Sequence, residues 1–127
     1  METVHNSQDA VRLVYPVLSG LDHEEAWVIF MTSRHGVIAQ DMLSKGTLTQ
    51  SSIDSRTILR QALLRNAAAI ILCHNHPSGN EKPSRADIGL TDNLQRACRL
   101  MDIHLLDHII VGEDAYFSFS EEQVNHI

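Results

Sequence analysis

Apolar residues recur along the chain with helical spacing in three stretches, and each stretch begins at a residue that can cap a helix. The predicted helices cover residues 7–18, 54–66 and 84–101, with Ser7 and Asp54 as N-caps of the first two. In the third helix, the predicted apolar stripe consists of Leu90, Leu94, Ala97 and Met101. Five other stretches are short runs rich in apolar residues, as buried strands are. The predicted strands cover residues 26–31, 37–43, 68–73, 105–111 and 115–120.

The order of these elements predicts an α/β fold with a single mixed, largely antiparallel β-sheet flanked by helices. The first two strands are joined by a short turn that ends at Gly36, which is typical of a β-hairpin. The chain has 127 residues and no internal repeat or linker, so we expect residues 1–127 to form a single domain. Residues 47–52 are either a flexible lid or a simple connection.

The composition restricts the class of protein and its compartment. Apolar residues make up 43% and charged residues 20% of the chain, which excludes a disordered protein. The formal net charge of −6 argues against broad binding to nucleic acid, which needs a surplus of Lys and Arg. No apolar run approaches the roughly 20 residues of a membrane span, and the amino terminus does not resemble a signal peptide. With only two cysteines, we expect a cytoplasmic protein without membrane contact.

Eight histidines direct attention to their spacing, because His is the commonest metal ligand. His74 and His76 stand at positions i and i+2, where side chains of an extended segment point to the same side. Pro77 favours the extended conformation of His76. Asp87, in the first turn of the next helix, could supply a carboxylate as the third ligand. Two imidazoles and one carboxylate would leave a Zn²⁺ ion one open position, which is the composition of a catalytic zinc site.

Water activated by a metal also needs a base that accepts its proton and passes it to the leaving group. Glu25 and Glu24 are the candidates, at the start of the strand predicted over residues 26–31. We prefer Glu25, because it shares its strand face with Trp27, whereas Glu24 points the other way if the strand already begins there. Ser84, three residues before Asp87, could donate a hydrogen bond to the oxyanion of a carbonyl substrate.

Each of these residues also has a purely structural interpretation. Ser84 and Asp87 have the spacing of a capping box at the start of a helix. His74 and His76, taken without the other residues, could be polar loop residues. Glu25 could be a solvated charge at the edge of a strand.

Three further residues lie near the candidate ligands in the predicted fold. Asp107 and His108 could donate or accept hydrogen bonds that orient the metal-bound imidazoles, or they could be structural residues at a strand edge. Cys73 points away from His74 by strand alternation, so we expect it to be a buried apolar thiol.

The order of the candidate residues resembles the JAMM motif of JAB/MPN-type metalloproteases, a Glu followed by H-x-H-P, seven residues and S-x-x-D. The motif is satisfied by Glu25, His74, His76, Ser84 and Asp87. Four longer stretches resemble the RadC-type JAB domain of bacteria. They are KGTLTQSSIDSR at 45–56, NAAAIILCHNHPSG at 66–79, PSRAD at 83–87 and LLDHIIVG at 105–112.

The resemblance implies a cytidine-deaminase-like sheet flanked by helices, with one Zn²⁺ ion held by His74, His76, Asp87 and water. It also implies that Glu25 is the general acid and base and that Ser84 stabilises the tetrahedral intermediate. The implied function is zinc-dependent hydrolysis of a peptide, isopeptide or related amide bond, with a peptide or protein as the substrate.

Two features differ from the family pattern. Asn75 stands where peptidases of the wider family usually carry Ser or Thr, and we expect the N-terminal helix-hairpin-helix region of longer RadC-like proteins to be absent. The first difference weakens the case for a protease, and the second weakens the case for a role in DNA repair. Two alternative functions stand beside the hydrolase. One is a factor in DNA repair or recombination with a mainly structural metal, and the other is an inactive relative that binds a peptide tail by strand addition.

Overall fold

Three helices and six strands make up residues 1–46 and 53–127, the part of the chain that the computed structural model describes. The helices are α1 (Ser7–Leu18), α2 (Ser55–Leu64) and α3 (Arg85–Leu100). The strands are β1 (Glu25–Met31), β2 (Val37–Lys45), β3 (Ala69–Asn75), β4 (His104–Val111), β5 (Ala115–Ser118) and β6 (Gln123–His126). Residues 47–52, with the predicted lid or connection, lie outside the described residues. None of the described helices is long and apolar enough to cross a membrane.

The six strands form one sheet in the order β2-β1-β3-β4-β5-β6. β3 and β4 run parallel, whereas the other neighbouring strands run antiparallel. Parallel neighbours need a long connection, and α3 is the crossover between them. The predicted α/β fold with a mixed, largely antiparallel sheet is thus confirmed.

Both faces of the sheet are covered by helices. On one face, Leu72 of β3 belongs to the apolar cluster that contains Leu94 of α3 and residues of α2. On the other face, Ile71 belongs to the cluster that contains Val14 of α1. Because strand residues alternate between the two faces, His74 points to the same face as Leu72, toward α3.

β3 is longer than its apolar run predicts. The run ends at Cys73, but the strand continues through His74 and Asn75. Ala26 of β1 and Ile110 of β4 pair with His74 from its two sides, so that the backbone there is held in the middle of the sheet. All seven residues of the strand are buried. The first histidine of the H-x-H pair therefore lies in the interior of the protein and not in a loop.

β6 is a strand that the apolar pattern misses. Val124 is its one apolar residue and is 45% exposed, so no alternation of apolar and polar residues marks the segment. Backbone pairing with β5 holds it at the edge of the sheet. β5 itself ends at Ser118, two residues before its predicted end.

Two helix details correct the sequence predictions. Asn6, and not Ser7, caps α1, because its side chain accepts a hydrogen bond from the amide of Asp9. Ser7 is buried instead. In α3, the buried apolar residues are Leu90, Leu94 and Cys98. Met101 is 43% exposed, because it is the C-cap residue and lies beyond the packed face of the helix.

Candidate metal centre

The topology of the sheet brings the predicted metal ligands to one edge. β3 ends at Asn75, and α3 must begin at that edge because it leads back to the start of a parallel strand. His74 near the end of β3 therefore lies close to Asp87 in the first turn of α3. His76 follows the strand, and its amide donates to the carbonyl of Val111 at the end of β4.

The three predicted ligands converge. One ligand atom from each of His74, His76 and Asp87 lies within 4.8 Å of the other two. His74 Nε2 is 3.1 Å from Asp87 Oδ1, His76 Nε2 is 3.3 Å from Asp87 Oδ2, and the two Nε2 atoms are 3.2 Å apart. Ligand atoms at about 2.0–2.1 Å from a tetrahedral zinc ion are about 3.3 Å from one another. The three side chains could therefore hold one such ion.

Two of the three side chains in the cluster are buried, and the third is partly exposed to solvent. The side chains of His74 and Asp87 are 1% and 2% exposed, whereas that of His76 is 15% exposed. Among residues 1–46 and 53–127, no fourth His, Cys, Asp or Glu side chain joins this cluster. A metal ion held by these three side chains would keep a free position, as catalytic zinc sites do.

Ser84 and Asp87 form a capping box at the start of α3. The amide of Asp87 donates to Ser84 Oγ at 3.1 Å, and the amide of Ser84 donates to Asp87 Oδ2 at 2.7 Å. Burial raises the pKa of Asp87, but hydrogen bonds from His74 and His76 outweigh burial and hold this pKa well below its ordinary value. The structural interpretation of Ser84 and Asp87 is thus correct, and it fixes the carboxylate where a cation could meet it.

The backbone of the following loop orients His76. Its Nδ1 lies 2.7 Å from the carbonyl oxygen of Asn80 and donates to it, so Nε2 is left to face the cluster. Burial lowers the pKa of His76, but the hydrogen bonds to Asp87 and Asn80, with the negative charges of Asp87 and Glu24, raise it overall. Glu24 is therefore an acidic residue outside the cluster whose charge reaches it.

The comparison with known proteins confirms the family that the sequence resembles. A family model described as "RadC-like JAB domain" matches residues 4–124. The chain belongs to this family. A UPF0758 protein of Leptothrix cholodnii is 48% identical to this RadC-like JAB domain over 119 residues, which cover 93% of this chain and 54% of that protein.

Two further relatives of the RadC-like JAB domain carry the same name. A UPF0758 protein of Porphyromonas gingivalis is 43% identical over 122 residues, which cover 95% of this chain and 54% of that protein. A UPF0758 protein of Flavobacterium johnsoniae is 37% identical over 124 residues, which cover 98% of this chain and 54% of that protein. The chain thus spans about half the length of these relatives. Their name states no activity. That residues 1–127 form a single domain stays a prediction.

Of the two residues predicted as possible supports, His108 contacts the cluster of the RadC-like JAB domain. His108 Nε2 lies 2.8 Å from His74 Nδ1. The contacts of Asp107 lie elsewhere, because its carboxylate accepts hydrogen bonds from the Ser118 hydroxyl and from the amides of His108 and Ser120. Asp107 therefore joins β4 to the end of β5.

Glu25 points away from the cluster. It lies on the same sheet face as Trp27, which is the face opposite His74, and its carboxylate accepts a hydrogen bond from Trp27 Nε1 at 3.0 Å. The second carboxylate oxygen is 2.7 Å from His23 Nε2. The hydrogen bonds with His23 and Trp27 lower the pKa of Glu25. The described contacts of its carboxylate do not include the metal ligands, so its role as a base stays a prediction.

Glu24 has the opposite placement. Continuing the alternation of β1 backward from Ala26 puts Glu24 on the face of His74, with which Ala26 is paired. The charge of Glu24 also raises the pKa of His76. The sequence analysis prefers Glu25 and keeps Glu24 as the alternative, and the choice between them stays a prediction.

The side chain of Asn75 binds the backbone on both sides of Glu24, at His23 and at Glu25. Its Oδ1 accepts from the amide of Glu25 at 2.8 Å, and its Nδ2 donates to the carbonyl of His23 at 2.9 Å. A side-chain amide supplies the acceptor and the donor at once. The sequence marked Asn75 only as a departure from the wider family, and its structural role depends on contacts with β1 that local spacing does not show.

The two cysteines of the RadC-like JAB domain are both buried. Cys73 belongs to the apolar cluster on the α1 face, away from His74, which confirms its interpretation as a buried apolar thiol. Burial raises the pKa of Cys98 to about 11 and raises that of Cys73 as well. Both residues are therefore thiols, and neither joins the metal ligands.

Proposed function

We propose that this chain is a zinc-dependent hydrolase that cleaves a peptide, isopeptide or related amide bond. The observation that carries the proposal is the spacing of His74, His76 and Asp87, whose ligand atoms are 3.1–3.3 Å apart. Two imidazoles and one carboxylate are a usual ligand set for catalytic zinc. The exposure of His76 leaves the centre accessible from one side.

The residues around the cluster have the chemistry that hydrolysis needs. Bound Zn²⁺ acts as a Lewis acid on a carbonyl group and lowers the pKa of water to about 7. A carboxylate from the pair Glu24 and Glu25 would accept a proton from water and return it to the leaving nitrogen. The Ser84 hydroxyl accepts its hydrogen bond from Asp87, so its own hydrogen is available for an oxyanion.

A cavity lies beside His76, the most exposed of the three ligands, and neither His74 nor Asp87 lines it. Its volume is about 290 Å³, and its lining includes Leu21, Asn75, Gly79 and Gly112. A Cβ atom on Gly112 would lie 2.7 Å from the carbonyl oxygen of Gly79, so two backbone segments meet closely there.

The proposal is tested by metal analysis of the purified protein together with a screen of peptide and isopeptide-linked substrates. We expect one zinc ion per chain and cleavage that stops with a chelator and returns with added Zn²⁺. Protein without zinc would contradict the proposal. DNA binding that is strong and falls steeply with salt would favour the repair factor instead. Peptide binding without any product would favour the inactive relative.

Substitution of Ser84 separates its role in the capping box from a role in hydrolysis. We expect Ser84→Ala to lower the free energy of unfolding by about 0.5–2 kcal/mol, whereas Ser84→Gly costs only a few tenths because Gly is tolerated at an N-cap. If the hydroxyl stabilises the oxyanion, both variants lose about 10²–10³-fold in kcat.

The matched control is Asn6→Ala, which removes the N-cap of α1. It should lower the free energy of unfolding by a similar amount and leave zinc affinity and kcat unchanged, because α1 packs on the other face of the sheet. Unfolding by urea and kinetics at saturating substrate measure the two effects. A Ser84→Gly variant with full activity would limit Ser84 to its structural role.

A further inference from the structure

A series of hydrogen bonds connects two of the proposed metal ligands, His74 and Asp87. His74 Nδ1 lies 2.8 Å from His108 Nε2, and His108 Nδ1 lies 2.6 Å from Thr91 Oγ1. The Thr91 hydroxyl in turn donates to the backbone carbonyl of Asp87 at 2.7 Å. His74 and Asp87 are thus joined through His108 and Thr91 as well as through the site of the ion.

We propose that His108 and Thr91 are positioning residues that fix the tautomer and the orientation of His74 and thereby set the metal affinity of the centre. The inference rests on the proposed metal site. It deepens that proposal by assigning a function to two residues that are not among the three ligands.

The direction of every hydrogen bond in the series follows from the metal site. A neutral imidazole that binds metal through Nε2 carries its proton on Nδ1, so His74 must donate to His108 Nε2. His108 then carries its own proton on Nδ1 and donates to Thr91. The Thr91 hydroxyl, which accepts from His108, has its hydrogen free for the carbonyl of Asp87. The other tautomer of His108 would set two N–H groups against each other.

The surroundings of His108 hold its ring in place. The residue is fully buried in β4. The ring of Phe119 stacks on it, with centroids 4.7 Å apart and planes 4° from parallel. The amide of Phe119 donates to the carbonyl of His108, and the amide of His108 donates to Asp107. An acceptor fixed in this way restricts the rotation of the His74 ring and so favours the position in which Nε2 faces the cluster.

The acceptor is neutral, which distinguishes this arrangement from a His ligand supported by a carboxylate. A carboxylate partner would add negative charge to the centre, whereas His108 adds none. Asp87 is then the one anion among the three ligands, His108 and Thr91. A Zn²⁺ ion bound to these ligands would therefore have a net positive charge. A positive centre is the condition under which a metal ion polarises a carbonyl group.

Two substitutions of His108 and one of Thr91 test the inference. His108→Gln keeps an acceptor oxygen, His108→Leu does not, and Thr91→Val removes the hydroxyl at nearly constant shape. We expect His108→Leu to lose about 10–100-fold in Zn²⁺ affinity. We expect Thr91→Val to lose less and His108→Gln to recover part of the loss. Affinity is measured by competition with a chromophoric chelator, and the metal-free proteins are compared by urea unfolding.

The tautomer of His108 gives a second measurement that does not depend on a variant's folding. In the zinc-loaded wild-type protein, ¹H–¹⁵N correlation spectra of the imidazoles should show His108 protonated at Nδ1 and unprotonated at Nε2. A His108 protonated at Nε2 would overturn the inference. So would His108→Leu and Thr91→Val proteins that are folded and bind Zn²⁺ as tightly as the wild type.

Failure of the inference and failure of the metal site give different results. If the wild-type protein binds Zn²⁺ and His74→Ala abolishes binding, the site stands, and unchanged affinity in the His108 and Thr91 variants refutes the positioning role alone. If the wild-type protein binds no Zn²⁺, or if His74→Ala binds it equally well, the metal site and the inference both fall. His104→Ala, an exposed histidine of the same strand, controls for the loss of an imidazole.

Discussion

Replacing Asp87 by Asn will lower the affinity of the protein for Zn²⁺ by about a thousandfold or more. Asn keeps the size of the side chain and an oxygen that can accept from the amide of Ser84, so the capping box is retained. The change therefore removes the anionic ligand and little else. A thousandfold loss is about 4 kcal/mol. That is a reasonable share for one ligand, since structural zinc sites bind with about 10–16 kcal/mol.

The affinity of Asp87→Asn is measured by competition with a chelator at constant pH, because protons compete for the imidazole ligands. Asp92→Asn is the matched control, since Asp92 is exposed on the same helix. It should bind zinc like the wild type. Folded Asp87→Asn protein that binds zinc within about tenfold of the wild type would show that Asp87 is not a ligand. Zinc content that survives the loss of both His74 and His76 would refute the other two ligands.

The three ligands could be predicted from the sequence because their signals are local. His74 and His76 are two residues apart, and Pro77 favours an extended backbone conformation at His76. Asp87 has the spacing of a capping-box residue after Ser84. The crossover from β3 to β4 then brings the start of α3 to the end of β3, so nearby positions in sequence become neighbours in space.

Contacts across the sheet could not be predicted in the same way. His108 is 34 residues from His74, and it reaches His74 because the parallel register pairs it with Leu72, on the same face. That register includes an irregularity between Ile70 and Ile71 which no sequence pattern indicates. The contact of Thr91 with Asp87 could be predicted, since the two residues are four positions apart on one helix. Its contact with His108 could not, because that contact depends on the register of β4.

The choice between Glu24 and Glu25 also depends on the register of neighbouring strands, which the sequence does not show. Strand alternation indicated that Glu25 shares a face with Trp27, and the structure agrees. The sequence did not indicate which face of the sheet carries His74. That is decided by the pairing of Ala26 with His74, which puts the even-numbered residues of β1 on the side of α3.

Replacing Glu24 by Gln will leave zinc binding intact and lower kcat by about 10²–10⁴-fold, the usual contribution of a general base. The expectation rests on strand alternation and on charge. The alternation of β1, continued one residue before its start, puts Glu24 on the His74 face, and the charge of Glu24 raises the pKa of His76. Glu25→Gln should change kcat only a few-fold, because the Glu25 carboxylate is engaged by His23 and Trp27 on the opposite face.

The two Glu variants are each other's control, since they differ by one position and by the face of the sheet. Zinc content and the urea midpoint should match the wild type in both, so that a difference in kcat reports the chemical step. If Glu25→Gln is the inactive variant, the preference from sequence is correct, and the Glu25 carboxylate must leave Trp27 to reach the substrate. If both variants keep full activity, neither carboxylate is the base, and the proposed mechanism of hydrolysis is wrong.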